Sequence, residues 1–175
     1  MMGGELCVNG LLAAATAMQT RSGVIIGSNN LRVTFSKSDW QTKISLSLTY
    51  RKESLADENV VLFDSIGYVV DSRAPVMVGL KETLKRKCEI WKVPAFGYVQ
   101  AYGNQIRPYV FVRNTDSLIA ETACGSGSIA AYVSTDAGDA RLLVDIYQPT
   151  GKPIRIQRSN ESCSFTISAR VDRIA

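Results

Sequence analysis

"ETACGSGSIAAY" runs from Glu121 to Tyr132. A cysteine stands directly before Gly-Ser-Gly and a run of small apolar residues, the composition of a helix start. The stretch has a counterpart in "CVNGLLAAATA", which begins at Cys7. Aligned on their cysteines, both carry glycine three residues on (Gly10, Gly127) and a branched aliphatic five on (Leu12, Ile129). Both then continue with Ala-Ala (Ala13-Ala14, Ala130-Ala131), and each has a glutamate just upstream, Glu5 and Glu121. The two copies are far enough apart for a lobe of structure between them.

A helix start leaves backbone N–H groups without partners, and its dipole places about half a positive charge there. A thiolate is stabilised in that field, so both cysteines are expected to have a pKa below the ordinary value of about 8.5. The same N–H groups can hold a carboxylate. Gly125, Ser126 and Gly127 put little side chain in the way of a ligand. Two such cysteines facing one small carboxylate ligand would allow one to take a proton from carbon and the other to return one to the opposite face. That chemistry is racemisation or epimerisation without a cofactor.

The rest of the composition narrows the choices. With 175 residues, 46% hydrophobic and 21% charged, the chain is one ordinary globular domain or two small ones. Net charge is +4, and the densest cluster, Lys81 to Lys92, interleaves acids with bases. It reads as a solvated helix face, so no nucleic-acid partner is expected. There is no histidine. This excludes a Ser/His/Asp or Cys/His arrangement within the chain and removes the commonest zinc ligand. The four cysteines, Cys7, Cys88, Cys124 and Cys163, form no CxxC pair, so no metal is expected. No basic leader opens the chain, and the apolar run Leu11 to Met18 is too short to span a membrane. A cytoplasmic protein with free thiols is expected.

Periodicity predicts a helix from Gly10 to Gln19, ended by Arg21-Ser22-Gly23. Short strands follow in "GVIIG" and "LRVTFS", then an alternating strand from Lys43 to Tyr50. The polar "RKESLADE" (51–58) reads as a linker between lobes. "VVLFDSIGYVVDS" (60–72) reads as a strand pair or one strand broken near Gly67. A longer amphipathic helix is expected after Pro75, with Val76, Val78, Leu80, Leu84, Cys88 and Trp91 on its apolar face and Cys88 in the core. Two strands, the Cys124 helix, a hairpin around Pro-Thr-Gly-Lys-Pro and a last strand from Cys163, itself expected to be packed, complete the chain. The fold class expected is α+β with mostly antiparallel sheet.

These residues resemble a known family. "ETACGSGS" resembles the second active-site motif of the diaminopimelate epimerase-like racemases and epimerases, which use two cysteines and no cofactor. "GGELCVNG" resembles their first motif, "QPTGKPIRI" their late hairpin and "ISARVDRI" their last strand. "TDSLIAETACGSG" is nearer the histidine racemases of metallophore synthesis. The resemblance implies two pseudo-symmetric lobes of sheet, each wrapped around a helix. Residues 1–50 would be the remainder of an incomplete first lobe, 51–160 the second, and 161–175 a strand returning to the first.

It also implies roles. Cys7 and Cys124 match the catalytic thiols. Val8, Asn9, Gly125 and Ser126 match positions whose backbone holds the substrate α-carboxylate, with Glu121 and Gly127 in support. Asp116 falls where the family has a glutamate serving the second cysteine and the substrate amine. Ser117 replaces an arginine that contacts the far end of diaminopimelate, which argues against that substrate. Val8 stands where glycine is usual, and the region around Tyr68 takes the place of a histidine assisting the first cysteine. The chain begins near its first cysteine, so three readings stay open: a truncated start, a second copy or companion chain supplying strands, or a catalytically inactive relative that binds a carboxylate ligand or a partner chain. A phenazine-synthesis type of isomerase on the same fold does not rely on two thiols, so the presence of both counts against it.

Overall fold

A computed structural model describes residues 5–55, 58–135, 143–159 and 163–171. The chain runs α1 (Val8–Ala17), β1 (Ser22–Ile26), β2 (Arg32–Lys37), β3 (Thr42–Ser47), β4 (Tyr50–Leu55), β5 (Glu58–Phe63) and β6 (Ile66–Asp71). It continues with α2 (Leu80–Trp91), β7 (Ala95–Tyr102), β8 (Gln105–Val112), β9 (Ser117–Ala120) and α3 (Gly125–Ser134). β10 (Leu143–Tyr147), β11 (Pro153–Arg158) and β12 (Ser164–Ala169) complete it. This is the expected α+β class.

The strands form one path, β1-β2-β3-β12-β11-β10-β8-β7-β6-β5-β4, with β9 on β8. Pairing is antiparallel except at β6–β7, which α2 connects, and at β10–β8. The β10–β8 join is a single residue pair, Tyr147 with Gln105. It divides the sheet into a half holding β1–β3 and β10–β12 and a half holding β4–β9.

α3 makes the two halves cohere. From Gly125 to Val133 it is made of small and apolar residues with two hydrogen-bonded serines, and every one of those residues is buried. A helix of that kind belongs in an interior. It packs on β5 to β8, on β10 and β11, and on α1, which covers β2 and β3. On the opposite face of the second half lies α2. β5 is therefore buried on both sides: Val61 and Phe63 face the α3 core, Val60 and Leu62 the α2 core. In β3 only one face is buried, by Thr42, Ile44 and Leu46. No helix among the described residues is long and apolar enough to cross a membrane.

Three local expectations are corrected and one is settled. α1 ends at Ala17, and Gly23 lies in β1, where Val33 to Ser36 of β2 extend the ladder. "RKES" is the core of β4, fully paired with β5. The stretch 60–72 is the expected strand pair, β5 with β6, which turns at Asp64-Ser65 with Gly67 inside β6. α2 starts at Leu80 because Gly79 takes a left-handed conformation (φ 81°) that stops the helix growing backwards. Val76 and Val78, expected on its buried face, are instead 78% and 91% exposed.

Leu84 and Cys88 are wholly buried one turn apart on α2. Burial pushes the Cys88 thiol up to about 11, as befits a core residue. Cys163 is half-buried. Leu84→Ala should cost about 2–5 kcal/mol in chemical denaturation. Val78→Ala should stay within about 0.5 kcal/mol of the unaltered chain.

Candidate active site at two opposed helix starts

Both repeat cysteines are N-caps. The Cys7 Sγ accepts a hydrogen bond from the Gly10 N–H (3.3 Å), and the Cys124 Sγ accepts one from the Gly127 N–H (3.2 Å). Sulfur thus stands where a Ser or Thr oxygen would satisfy an orphan donor. At the second site this accounts for the glycine three residues after the cysteine: a Cβ on Gly127 would lie 2.9 Å from the Cys124 Sγ.

The two helix starts touch. The Asn9 side chain donates from Nδ2 to the Ala123 carbonyl (2.6 Å) and accepts at Oδ1 from the Gly125 N–H (3.0 Å). A Cβ on Gly125 would lie 2.5 Å from the Val8 Cγ1. Gly125 is therefore a packing glycine, and its N–H is already engaged, which differs from the expectation that it opens the backbone to a ligand. The N–H groups of Val8, Asn9 and Ser126 have no partner among the described residues.

A cavity of about 220 Å³ lies at this junction. Cys7, Cys124, Glu5, Glu121, Tyr68 and Ser126 all line it, with Val8, Asn9 and Gly125. The chain thus brings the two thiols to one small space. Cys7 also lines a second cavity of about 120 Å³ beside Leu11, Leu31 and Phe63. Asp116 and Ser117 stand elsewhere. Asp116 is exposed, with Lys81 Nζ at 2.7 Å and Lys85 Nζ at 3.1 Å. Those two lysines hold its carboxyl below the usual range. Ser117 Oγ bonds to Thr115 Oγ1 at 2.6 Å. Neither lines the cavity.

Two groups that the sequence reading did not assign to Cys124 hold it. Tyr68 was expected on the side of the first cysteine. Its hydroxyl instead lies 2.7 Å from Ser126 Oγ and 3.6 Å from Cys124 Sγ. Gln148 accepts from the Cys124 N–H (2.8 Å) and donates to Ser128 Oγ and the Ile146 carbonyl, both 2.9 Å. Gln148 opens the Pro-Thr-Gly-Lys-Pro turn. A buried amide there has no local signal, because the turn itself explains the stretch.

The electrostatics reverse one expectation. The Cys124 thiol is held far above its ordinary value, first by burial and then by the charge of Glu121. The helix N-terminus contributes only about half a charge, and it loses to desolvation plus a full carboxylate nearby. Glu121 is itself pushed up by burial, with Glu5 adding to the shift and the Cys124 hydrogen bond opposing it. Burial also pushes up the Tyr68 hydroxyl, with Cys124 and Glu121 adding to it. One oxygen each of Glu5 and Glu121 is buried without a hydrogen-bond partner among the described residues. Cys124 therefore rests as a thiol that donates its proton towards Glu121.

Comparison with solved structures identifies the architecture. A phenazine biosynthesis PhzC/PhzF protein from Clostridium difficile matches over 97% of this chain and 74% of its own, at TM-score 0.57 and 12% identity. A PhzF-family phenazine biosynthesis protein from Enterococcus faecalis matches over 98% of this chain and 72% of its own, at TM-score 0.59 and 10% identity. No family model and no curated protein matches the chain.

These findings overturn the family resemblance drawn from the cysteine motifs. The neighbours are PhzF-type, a group that shares its fold with diaminopimelate epimerase but is a different family. Two thiols therefore do not count against a phenazine-type relative. At this identity the likeness is one of fold. A cysteine capping a helix is a local feature of a few residues, and it does not choose between families built on one sheet topology.

Two outcomes follow. Gly125→Ala should destabilise the chain by about 1–3 kcal/mol in denaturant unfolding, and that added cost should be smaller when Gly125→Ala is made in Val8→Gly and compared with Val8→Gly alone, where the blocking side chain is gone. Glu121→Gln should raise the thermal midpoint by about 2–4 °C at pH 8. Because the folded-state pKa of Glu121 is raised, its carboxylate weakens the fold above the ordinary glutamate range. The gain should therefore vanish near pH 4, where Glu121 is protonated in both states.

Proposed function

We propose that this chain is a cofactor-independent isomerase, an amino-acid racemase or epimerase that inverts an α-carbon with Cys7 and Cys124. The observation that carries the reading is that two helix-capping thiols from distant parts of the chain line one small cavity. The partnerless N–H groups of Val8, Asn9 and Ser126 suit a carboxylate at the meeting of two helix starts. The unpartnered oxygens of Glu5 and Glu121 suit the substrate ammonium beside it. The PhzF-type architecture supports an isomerase in general terms.

In one direction of the reaction, Cys7 acting as a thiolate takes the α-proton and becomes a thiol. The electron pair left on carbon spreads into the carboxylate, whose oxygens meet the helix N–H groups. Cys124 then gives its S–H proton to the opposite face and becomes a thiolate. The reverse direction starts from that exchanged state. Burial keeps Cys124 protonated at rest, so it is the thiol that holds a proton for the strongly basic substrate carbanion, and its thiolate, once formed, is a strong base for the reverse direction.

A second reading, a protein that binds a carboxylate ligand without turnover, draws on the same observation that Cys124 is held protonated. Incubation with a panel of amino acids in deuterated water separates the two. The isomerase should wash deuterium into the α-position and interconvert the enantiomers. Cys7→Ala and Cys124→Ala should each lower that inversion rate by at least about 100-fold. Binding without any exchange, or an inversion rate in either variant equal to that of the unaltered chain, would sink the isomerase.

A further inference from the structure

The geometry points to Tyr68 as a positioning residue for Cys124, whose hydroxyl donates to the sulfur and carries the thiolate left when Cys124 gives up its proton. The inference rests on the isomerase reading for its catalytic meaning, but its physical content is testable without turnover.

Tyr68 is wholly buried in the middle of β6, an unusual place for a hydroxyl. The strand next to it accommodates the ring. Gly97 of β7 is its register partner, and a Cβ on Gly97 would lie 2.4 Å from the Tyr68 Cε1. Phe63 holds the ring edge-on, with centroids 6.4 Å apart at 75°. Glycine at 97 thus lets the ring lie flat across β7, and the hydroxyl emerges at the start of α3.

There it meets two atoms, Ser126 Oγ at 2.7 Å and Cys124 Sγ at 3.6 Å. Ser126 Oγ is itself 3.8 Å from the sulfur. Of the groups around Cys124, Glu121 carries negative charge and works against a thiolate, while Gly127 N–H and the Tyr68 hydroxyl are donors that favour it. The Gly127 donor is fixed by the helix. The phenol can swing between oxygen and sulfur as the charge on sulfur changes, and burial keeps the phenol protonated throughout.

Site-resolved alkylation tests this directly. The intact protein is treated with iodoacetamide at pH 9, and the rates at Cys7 and Cys124 are followed separately by peptide mass spectrometry. Tyr68→Phe keeps the ring and removes the donor, so the Cys124 rate should fall about tenfold while the Cys7 rate changes by less than about twofold. Ser126→Ala removes the competing oxygen and leaves the phenol, so Cys124 should not slow. A purely structural phenol would leave the Cys124-to-Cys7 ratio unchanged or alter both rates together. An unchanged or faster Cys124 in Tyr68→Phe overturns the inference, as does equal slowing in Ser126→Ala. In the deuterium-exchange assay Tyr68→Phe should lower kcat about tenfold with little change in KM. Absence of exchange in the unaltered chain would defeat the isomerase reading, and the alkylation rates would still decide the role of Tyr68.

Discussion

The site depends on two helix starts being held in contact. Asn9 does this with one carboxamide, donating to the carbonyl that precedes Cys124 and accepting from the N–H that follows it. Val8 fits against the bare Cα of Gly125. Two positive helix ends would repel if they met face to face without a polar group between them. A neutral amide that offers both a donor and an acceptor removes that difficulty and fixes the relative position of the two cysteines.

The buried helix α3 is the other half of the arrangement. Because it is buried on all sides, it can be the common core of both halves of the sheet, which otherwise share a single strand pair at β10–β8. Placing Cys124 at its start puts the thiol deep inside, and depth governs its chemistry. Removing water from a sulfur and a carboxylate together favours the protonated forms more strongly than a helix end favours the charged ones. The outcome is an asymmetric pair: a half-buried Cys7 and a buried Cys124 with a carboxylate and a phenol at hand.

Much of the chain's organisation was legible in its residues. The alternation in Thr42–Ser47, the hairpin joining β10 to β11, and Cys88 on the buried face of α2 all appear as periodicity dictates. Readings that failed did so where neighbours decide. "RKES" looks like a linker because its side chains are polar, yet an edge strand with one exposed face needs only backbone pairing. Val76 and Val78 continue an apolar spacing, but one left-handed glycine puts them outside the helix. Asp116 is close in sequence to Cys124 but faces the lysines of α2, because β9 intervenes and carries the chain round.

By itself the sequence determined that two cysteines begin two similar helices, since a cap, a glycine three residues on and a run of alanines are local features encoded locally. It also determined the α+β class through its alternating strands. Which face of the sheet each helix covers, that the two thiols share one cavity, and that Tyr68 and Gln148 attend Cys124 were decided only in three dimensions. So was the protonation of that thiol, because a pKa depends on how much water burial removes and which charges it brings near, and neither is written in the residues adjacent to the cysteine.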